Sequence, residues 1–84
     1  MWNKNDFIDK KEAVRDALPE SGARFRTKDI SSSAPMLKLF GVTEDDNNYH
    51  AEIGHGLLAN TDYFRVTRIE DAKDNERGTL WQRV

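Results

Sequence analysis

The sequence predicts a small α+β domain in which three helices form the core and a two-stranded β-hairpin ends the chain. Two observations in the C-terminal half carry this prediction. A polar-capped helix pattern over Thr43–Asn60 runs directly into two short apolar strands, Tyr63–Ile69 and Thr79–Val84. The residues between the strands, Glu70–Arg77, are mostly charged and hold no hydrophobic side chain larger than that of Ala72, which is typical of a solvated hairpin tip.

Length and composition restrict the class of protein. The 84 residues form a single domain, 1–84, with one modest core, because a chain this short buries only about 60–65% of its unfolded surface. Two Trp, two Tyr and four Phe are spread along the chain, which argues against disorder. The absence of cysteine excludes disulfides and thiolate zinc sites and favours a reducing compartment. No stretch approaches the ~20 apolar residues of a transmembrane helix, and Met1–Asp6 lacks a signal-peptide pattern. We therefore expect a cytoplasmic protein without membrane contact.

The N-terminal half is predicted to contain a helix, a short strand and two further helical turns. Asn5 or Asp6 caps the first helix, whose apolar face includes Phe7, Val14 and Leu18. An extended stretch around Phe25 follows. Helical turns are expected at 28–32, with Thr27 as N-cap, and at 35–40, ended by Gly41 in a left-handed conformation.

The helix predicted from Thr43 has an acidic start and an apolar stripe. Thr43 is a favourable N-cap, and three acids follow it at the positive end of the helix dipole. Tyr49, Ile53 and Leu57 recur at four-residue intervals and indicate the buried face. Gly54 and Gly56 each cost about 1 kcal/mol relative to Ala, so either the helix frays there or another backbone approaches closely.

In the hairpin, alternation places Phe64 and Val66 on one face. In the second strand Leu80 and Val84 lie opposite Thr79, Trp81 and Arg83. We expect the second strand to pair antiparallel with the first, and Arg65 and Arg83 to be able to stack on Trp81. The predicted core contains Leu80, Phe64 and Val66 beside Val14 and Ile53.

The order helix, short strand, helix, helix, hairpin resembles the winged helix-turn-helix superfamily, and Gly78–Arg83 is similar to the closing strand of many wings. The resemblance rests on element order over Phe7–Val84. It implies a three-helix core with the helix from Thr43 in the DNA-reading position, and a wing that reaches the DNA backbone or minor groove. The side chains available for duplex DNA are Asn47, Asn48, His50, Arg65, Arg68, Lys73 and Arg77.

The charge distribution favours a second function on the same scaffold. The formal net charge is −2, yet residues 43–62 contain five acids and no Lys or Arg. A DNA-binding surface usually gains affinity from basic groups that neutralise phosphates. The first expectation is a small DNA-binding protein of regulatory or phage or plasmid accessory type that acts through the helix from Thr43 and the wing. The alternative is a protein-interaction module or inhibitor that docks on a basic partner. The residues of that surface would be Glu44, Asp45, Asp46 and Glu52.

The sequence contains no pattern for catalysis, a metal or a cofactor. His50 and His55 are five residues apart and cannot chelate one ion as an i,i+4 pair does. Glu52 with His55, and Asp46 with His50, have ligand spacing but no third ligand. These side chains are expected to be solvated, and Ser31–Ser33 to serve in caps and turns. Trp2 is expected to cover the core or to contact a partner. We therefore expect a protein that is not an enzyme.

Overall fold

The computed structural model describes residues 4–70 and 78–84. These residues confirm the α+β class and contain six short helical segments and three strands. None of the helices in this part of the chain combines the length and apolar character needed to cross a bilayer. The order of elements is α1 (Lys4–Asp9), α2 (Lys11–Asp16), β1 (Arg24–Arg26), α3 (Thr27–Ser31), α4 (Ala34–Phe40), α5 (Asn47–Ala59), α6 (Thr61–Phe64), β2 (Val66–Glu70) and β3 (Leu80–Arg83).

The first helix is broken into α1 and α2 at Lys10, so the prediction of one continuous helix is wrong. The Lys10 ammonium group donates to the carbonyl oxygen of Leu39 at 3.0 Å and lies 5.5 Å from the centre of the Phe40 ring. These contacts connect the break to α4. The apolar face was predicted correctly, since Phe7, Val14 and Leu18 are all buried.

Helices α3 and α4 agree with the predicted turns to within one residue. Gly41 ends α4 with a φ of 65°, as predicted. The N-cap of α3 is Arg26 instead of Thr27, and its backbone N–H donates to the Asp29 carboxylate at 2.9 Å. The Thr27 hydroxyl oxygen accepts a hydrogen bond from the indole nitrogen of Trp81 at 2.8 Å. Thr27 therefore joins α3 to the sheet, which local sequence did not indicate.

The three strands form one antiparallel sheet in the order β1-β3-β2. The predicted pairing of the last strand with the preceding one is confirmed, and β1 adds a third strand on the other side of β3. Strand β2 begins at Val66 and not at Tyr63, because the four residues of α6 come first. Arg65 ends α6 in a left-handed conformation with a φ of 57°.

The face of β3 that enters the core is the opposite of the one predicted. Trp81 and Thr79 are fully buried, whereas Leu80 is only partly buried and Val84 is 60% exposed. Because side chains alternate along a strand, the burial of Trp81 directs Leu80 to the other face. Trp81 also lies directly opposite Phe25 of β1. The remaining members of the predicted core are confirmed: Phe64, Val66, Val14 and Ile53 are buried.

Stacking of Arg65 and Arg83 on Trp81 was therefore also a wrong prediction. The indole ring is fully buried, and Arg65 precedes β2 in the left-handed turn. Arg83 instead donates from a terminal guanidinium nitrogen to the Pro19 carbonyl at 2.9 Å. Trp2, Lys73 and Arg77, which carried further predictions, lie outside the described residues.

Candidate interaction surface

Helix α5 begins later than predicted, so the acidic residues that were expected in its first turn precede the helix. The N-cap is Asp46, whose carboxylate accepts from the backbone N–H of Tyr49 at 3.1 Å. A backbone hydrogen bond of 3.1 Å from Asp46 to the carbonyl of Thr43 closes a turn ahead of the helix. Glu44 and Asp45 are exposed on this turn and do not belong to the helix. We call Thr43–Asp46 the acidic turn.

The buried side chain of His50 forms a hydrogen bond with the backbone of the acidic turn. Its Nε2 atom lies 2.6 Å from the carbonyl oxygen of Glu44, and its Nδ1 atom lies 2.6 Å from the hydroxyl oxygen of Ser31. A carbonyl oxygen only accepts, so Nε2 carries the proton and, in the neutral ring, Nδ1 accepts from Ser31. The ring is 3% exposed. The expectations that His50 is solvated and that it contacts bases therefore do not fit its position.

Tyr49 strengthens the same connection between α5 and α3. Its hydroxyl group donates to the carbonyl oxygen of Ser31 at 2.8 Å, and its ring is fully buried against Phe40, with centroids 5.6 Å apart. Burial raises the pKa of the Tyr49 hydroxyl above its ordinary value, because the charged form would lose its hydration. The tyrosine therefore remains a protonated donor, and the acidic turn is fixed at two successive residues of α5.

The exposed face of α5 contains no Lys or Arg. Residues spaced i, i+4, i+7 and i+11 share one face of a helix, and Asn48, Glu52, His55 and Ala59 have this spacing. Asn48, His55 and Ala59 are exposed, and Glu52 is half-buried. Asn47 is exposed at a different angle around the helix. The face that would meet a partner is thus polar and acidic near the turn and becomes apolar towards Ala59.

A groove between α1 and α5 continues this face. Its volume is about 430 Å³, and its walls come from Phe7 and Ile8 of α1 and from Glu52, His55, Gly56 and Ala59 of α5, with Asn60 beyond the helix. The Phe7 ring lies directly on Gly56: a Cβ atom at that position would be 2.4 Å from the ring. Gly56 therefore permits close approach of an aromatic ring and not of a backbone, and α5 continues through both glycines without fraying.

The arginines proposed for DNA occupy another part of the molecule. Arg65 is exposed in the turn between α6 and β2, and Arg68 is exposed on β2. On the outer sheet face, Arg26 donates to the carbonyl oxygen of Gly78 at 2.7 Å and lies 3.9 Å from the Glu70 carboxylate. Part of the basic charge on this sheet is therefore already paired.

The groove and the buried histidine were not found from sequence. The sequence did contain an indication that His50 is buried. Tyr49, Ile53 and Leu57 form the apolar stripe of α5, and the next row of the helix contains His50 and Gly54, which are both buried. The groove had a weaker signal in the unexplained Gly56. Among the described residues, no three His, Asp or Glu side chains gather in a way that would hold a metal ion.

Comparison with known proteins gave no match to a protein-family model, to a curated protein or to a solved structure.

Proposed function

We propose that this protein is a protein-interaction module that binds a basic partner through the acidic turn and the exposed face of α5. The observation that carries the proposal is the presentation of Glu44 and Asp45. Both carboxylates are exposed on a turn that Asp46, Tyr49 and His50 fix to the core. Such a surface attracts positive charge and repels phosphate.

The hydrogen bonds that order the acidic turn also favour binding, in addition to its charge. Ordering an interface on association costs about 0.5–1.5 kcal/mol for each flexible side chain that is immobilised. Here the backbone beneath Glu44 is already held by the His50 ring, which is itself hydrogen-bonded to Ser31. The partner therefore meets a preorganised turn, and only the outer carboxylates have to be ordered.

The scaffold that we propose for this surface is a winged helix-turn-helix. The order of elements and the placement of β3 between β1 and β2 support it. In that arrangement α5 occupies the DNA-reading position. Fold alone does not decide what such a helix binds, and the acidic turn at its start favours a protein.

Charge reversal on the turn tests the function. Glu44→Lys combined with Asp45→Lys leaves the Asp46 cap intact, so the fold is expected to be retained. Capture from the native host with the wild type should isolate a basic protein that this variant does not retain. The matched control is Glu20→Lys with Asp62→Lys, which makes the same charge change at exposed positions outside the turn. Equal capture by both variants would contradict the proposal.

DNA binding, the first expectation from sequence, is here the second candidate function. It is supported by Arg65, in the turn before β2, and Arg68, in the middle of β2, which are both exposed. If this site meets phosphate, Arg65→Ala or Arg68→Ala should each lower the salt dependence of binding by about one unit, irrespective of sequence. Asn47→Ala or Asn48→Ala should instead relax sequence preference. Binding of duplex DNA that does not depend on salt would exclude this function.

A further inference from the structure

We infer that the groove between α1 and α5 receives one large apolar side chain from a basic segment of the protein partner. This inference rests on the proposed function and assigns a second, apolar part to the interface. The acidic turn alone would provide electrostatic steering, which contributes more to the association rate and specificity than to affinity. An anchor side chain in a preformed groove is the usual source of affinity in such complexes.

The floor of the groove is apolar and already in place. The Phe7 ring is 6% exposed and packs on Gly56, and it contacts the Phe64 ring edge-to-face with centroids 5.9 Å apart. Ile8 projects at the side of the groove and is 60% exposed. A single exposed isoleucine has no special meaning, but this one borders a cavity of about 430 Å³. Ligand sites have volumes of about 300–1,000 Å³.

The charges around the groove select a basic occupant. Glu52 lies in its wall and is the carboxylate of the α5 face. The side chains of Lys10, at the break between α1 and α2, and Lys11, the first residue of α2, contact other parts of the molecule. Lys10 is bound to the carbonyl of Leu39, and the Lys11 ammonium group lies 4.4 Å from the centre of the Tyr63 ring. A partner segment with Lys or Arg beside its anchor therefore meets Glu52 without competition from these lysines.

The spacing along α5 sets the pattern of the partner segment. Glu52 follows the Asp46 cap by six residues, which corresponds to about 9 Å along the helix axis. A segment that runs from the groove towards the acidic turn would place one positive charge next to its anchor and a second about two helical turns farther along. An amphipathic basic helix has this pattern, and a helix in an apolar groove is a recurrent mode of recognition.

The test is selection of a random 12-residue peptide library on the immobilised full chain, followed by measurement of the dissociation constant for each selected synthetic peptide. Selected peptides should combine one Leu, Phe or Trp with two or more Lys or Arg. Ile8→Asp, or Ala59→Trp, which fills the groove from its exposed edge, should weaken binding about tenfold or more. Leu58→Asp is the matched control: Leu58 is 39% exposed on α5 but does not line the groove. It should weaken binding less than about twofold.

Two comparisons separate the groove from the proposed function. Replacement of the peptide's apolar residue by Ala should weaken binding to the wild type but not further weaken binding to Ile8→Asp. If Ile8→Asp and Leu58→Asp bind equally while Glu44→Lys with Asp45→Lys abolishes binding, the groove inference fails and the proposed function stands. If the charge reversal leaves binding unchanged, the proposed function fails, and this inference fails with it.

Sedimentation velocity tests the other occupant. We expect the wild type to be monomeric at the concentrations used for binding. A dimer that Ile8→Asp converts to monomer would mean that a second copy of the chain fills the groove, and would overturn the proposal.

Discussion

At the scale of single residues, the two histidines of α5 have opposite environments. His50 is buried with both ring nitrogens within hydrogen-bonding distance of a partner, whereas His55 is exposed at the edge of the groove. A buried polar group that loses its partner costs about 1–3 kcal/mol, and removal of a ring adds the cost of a cavity. The contribution of His50 to stability should therefore be large although the side chain is polar.

We expect His50→Ala to lower the free energy of unfolding by about 2–4 kcal/mol, because Ser31 and the Glu44 carbonyl lose their partner and a cavity forms. His55→Ala is the matched control and should stay within about 0.5 kcal/mol of the wild type. Urea denaturation at neutral pH measures both. Equal effects of the two substitutions would mean that the His50 network does not support the turn.

Tyr49 gives a prediction for alkaline pH. Its pKa is higher in the folded state than the ordinary value of 10.0, so the unfolded chain loses the proton first. The stability linked to this group is complete below pH 10.0 and is lost as pH rises above it. The stability difference between wild type and Tyr49→Phe should be constant from about pH 7 to about pH 9 and should shrink above that range. Denaturation at several pH values measures it. A difference that stays constant at all pH values would contradict the role of burial.

At the scale of elements, the contact between α1 and α5 depends on one glycine. Gly56→Ala should gain about 1 kcal/mol of helix propensity, yet its Cβ atom would lie 2.4 Å from the Phe7 ring. We expect a net loss of about 1–3 kcal/mol, as in other overpacked cores. In the Phe7→Ala background, the same substitution should become neutral or stabilising. Thermal denaturation of the four proteins in this cycle tests the contact, and a Gly56→Ala cost that Phe7→Ala does not relieve would exclude it.

The elements that sequence predicted well are those whose signals are local. Helices α3 and α4 follow from capping residues and from Gly41, whose left-handed conformation ends α4. The N-cap of α5 was predicted three residues too early, at Thr43 instead of Asp46, because the segment from Thr43 to Asp46 offers several adjacent capping residues. Asp46 is the residue that caps, and the tertiary hydrogen bond between His50 and the Glu44 carbonyl, which local sequence does not reveal, joins the preceding turn to α5.

The face of β3 could not be chosen from local pattern. Its two faces carry Leu80 or Trp81, and both are apolar. The choice depends on Phe25 and Thr27, which lie more than fifty residues earlier and contact Trp81 from β1 and α3. The candidate site likewise has one part that sequence predicted and one part that it did not. The acidic residues were visible in the sequence, whereas the groove exists only where α1 packs on α5.

At the scale of the whole molecule, the last six residues join the two halves of the chain. Strand β3 lies between β1 and β2. Backbone hydrogen bonds also connect the residues at both ends of β3 to segments that flank β1 and β2. Gly22 donates to the carbonyl of Arg83 at 2.7 Å, and Thr27 donates to the carbonyl of Thr79 at 3.1 Å. On the other side, Val84 donates to the carbonyl of Arg65 at 2.7 Å. Removal of β3 would therefore leave β1 and β2 without a partner.

Truncation after Gly78 tests this central role. The deletion removes the fully buried Trp81 and Thr79, and a Trp→Ala change alone costs about 3–5 kcal/mol in a core. Since a domain of this length has a total stability of about 4–13 kcal/mol, we expect the truncated chain to lose cooperative unfolding. Trp81→Ala should lower stability by about 3–5 kcal/mol, whereas Val84→Ala, at a position 60% exposed, should stay within about 0.5 kcal/mol of the wild type. Circular dichroism during heating distinguishes these results. A truncated chain that melts cooperatively near the wild-type temperature would show that the helices form a stable core without the sheet, and the acidic turn would then be held by α3 and α5 alone.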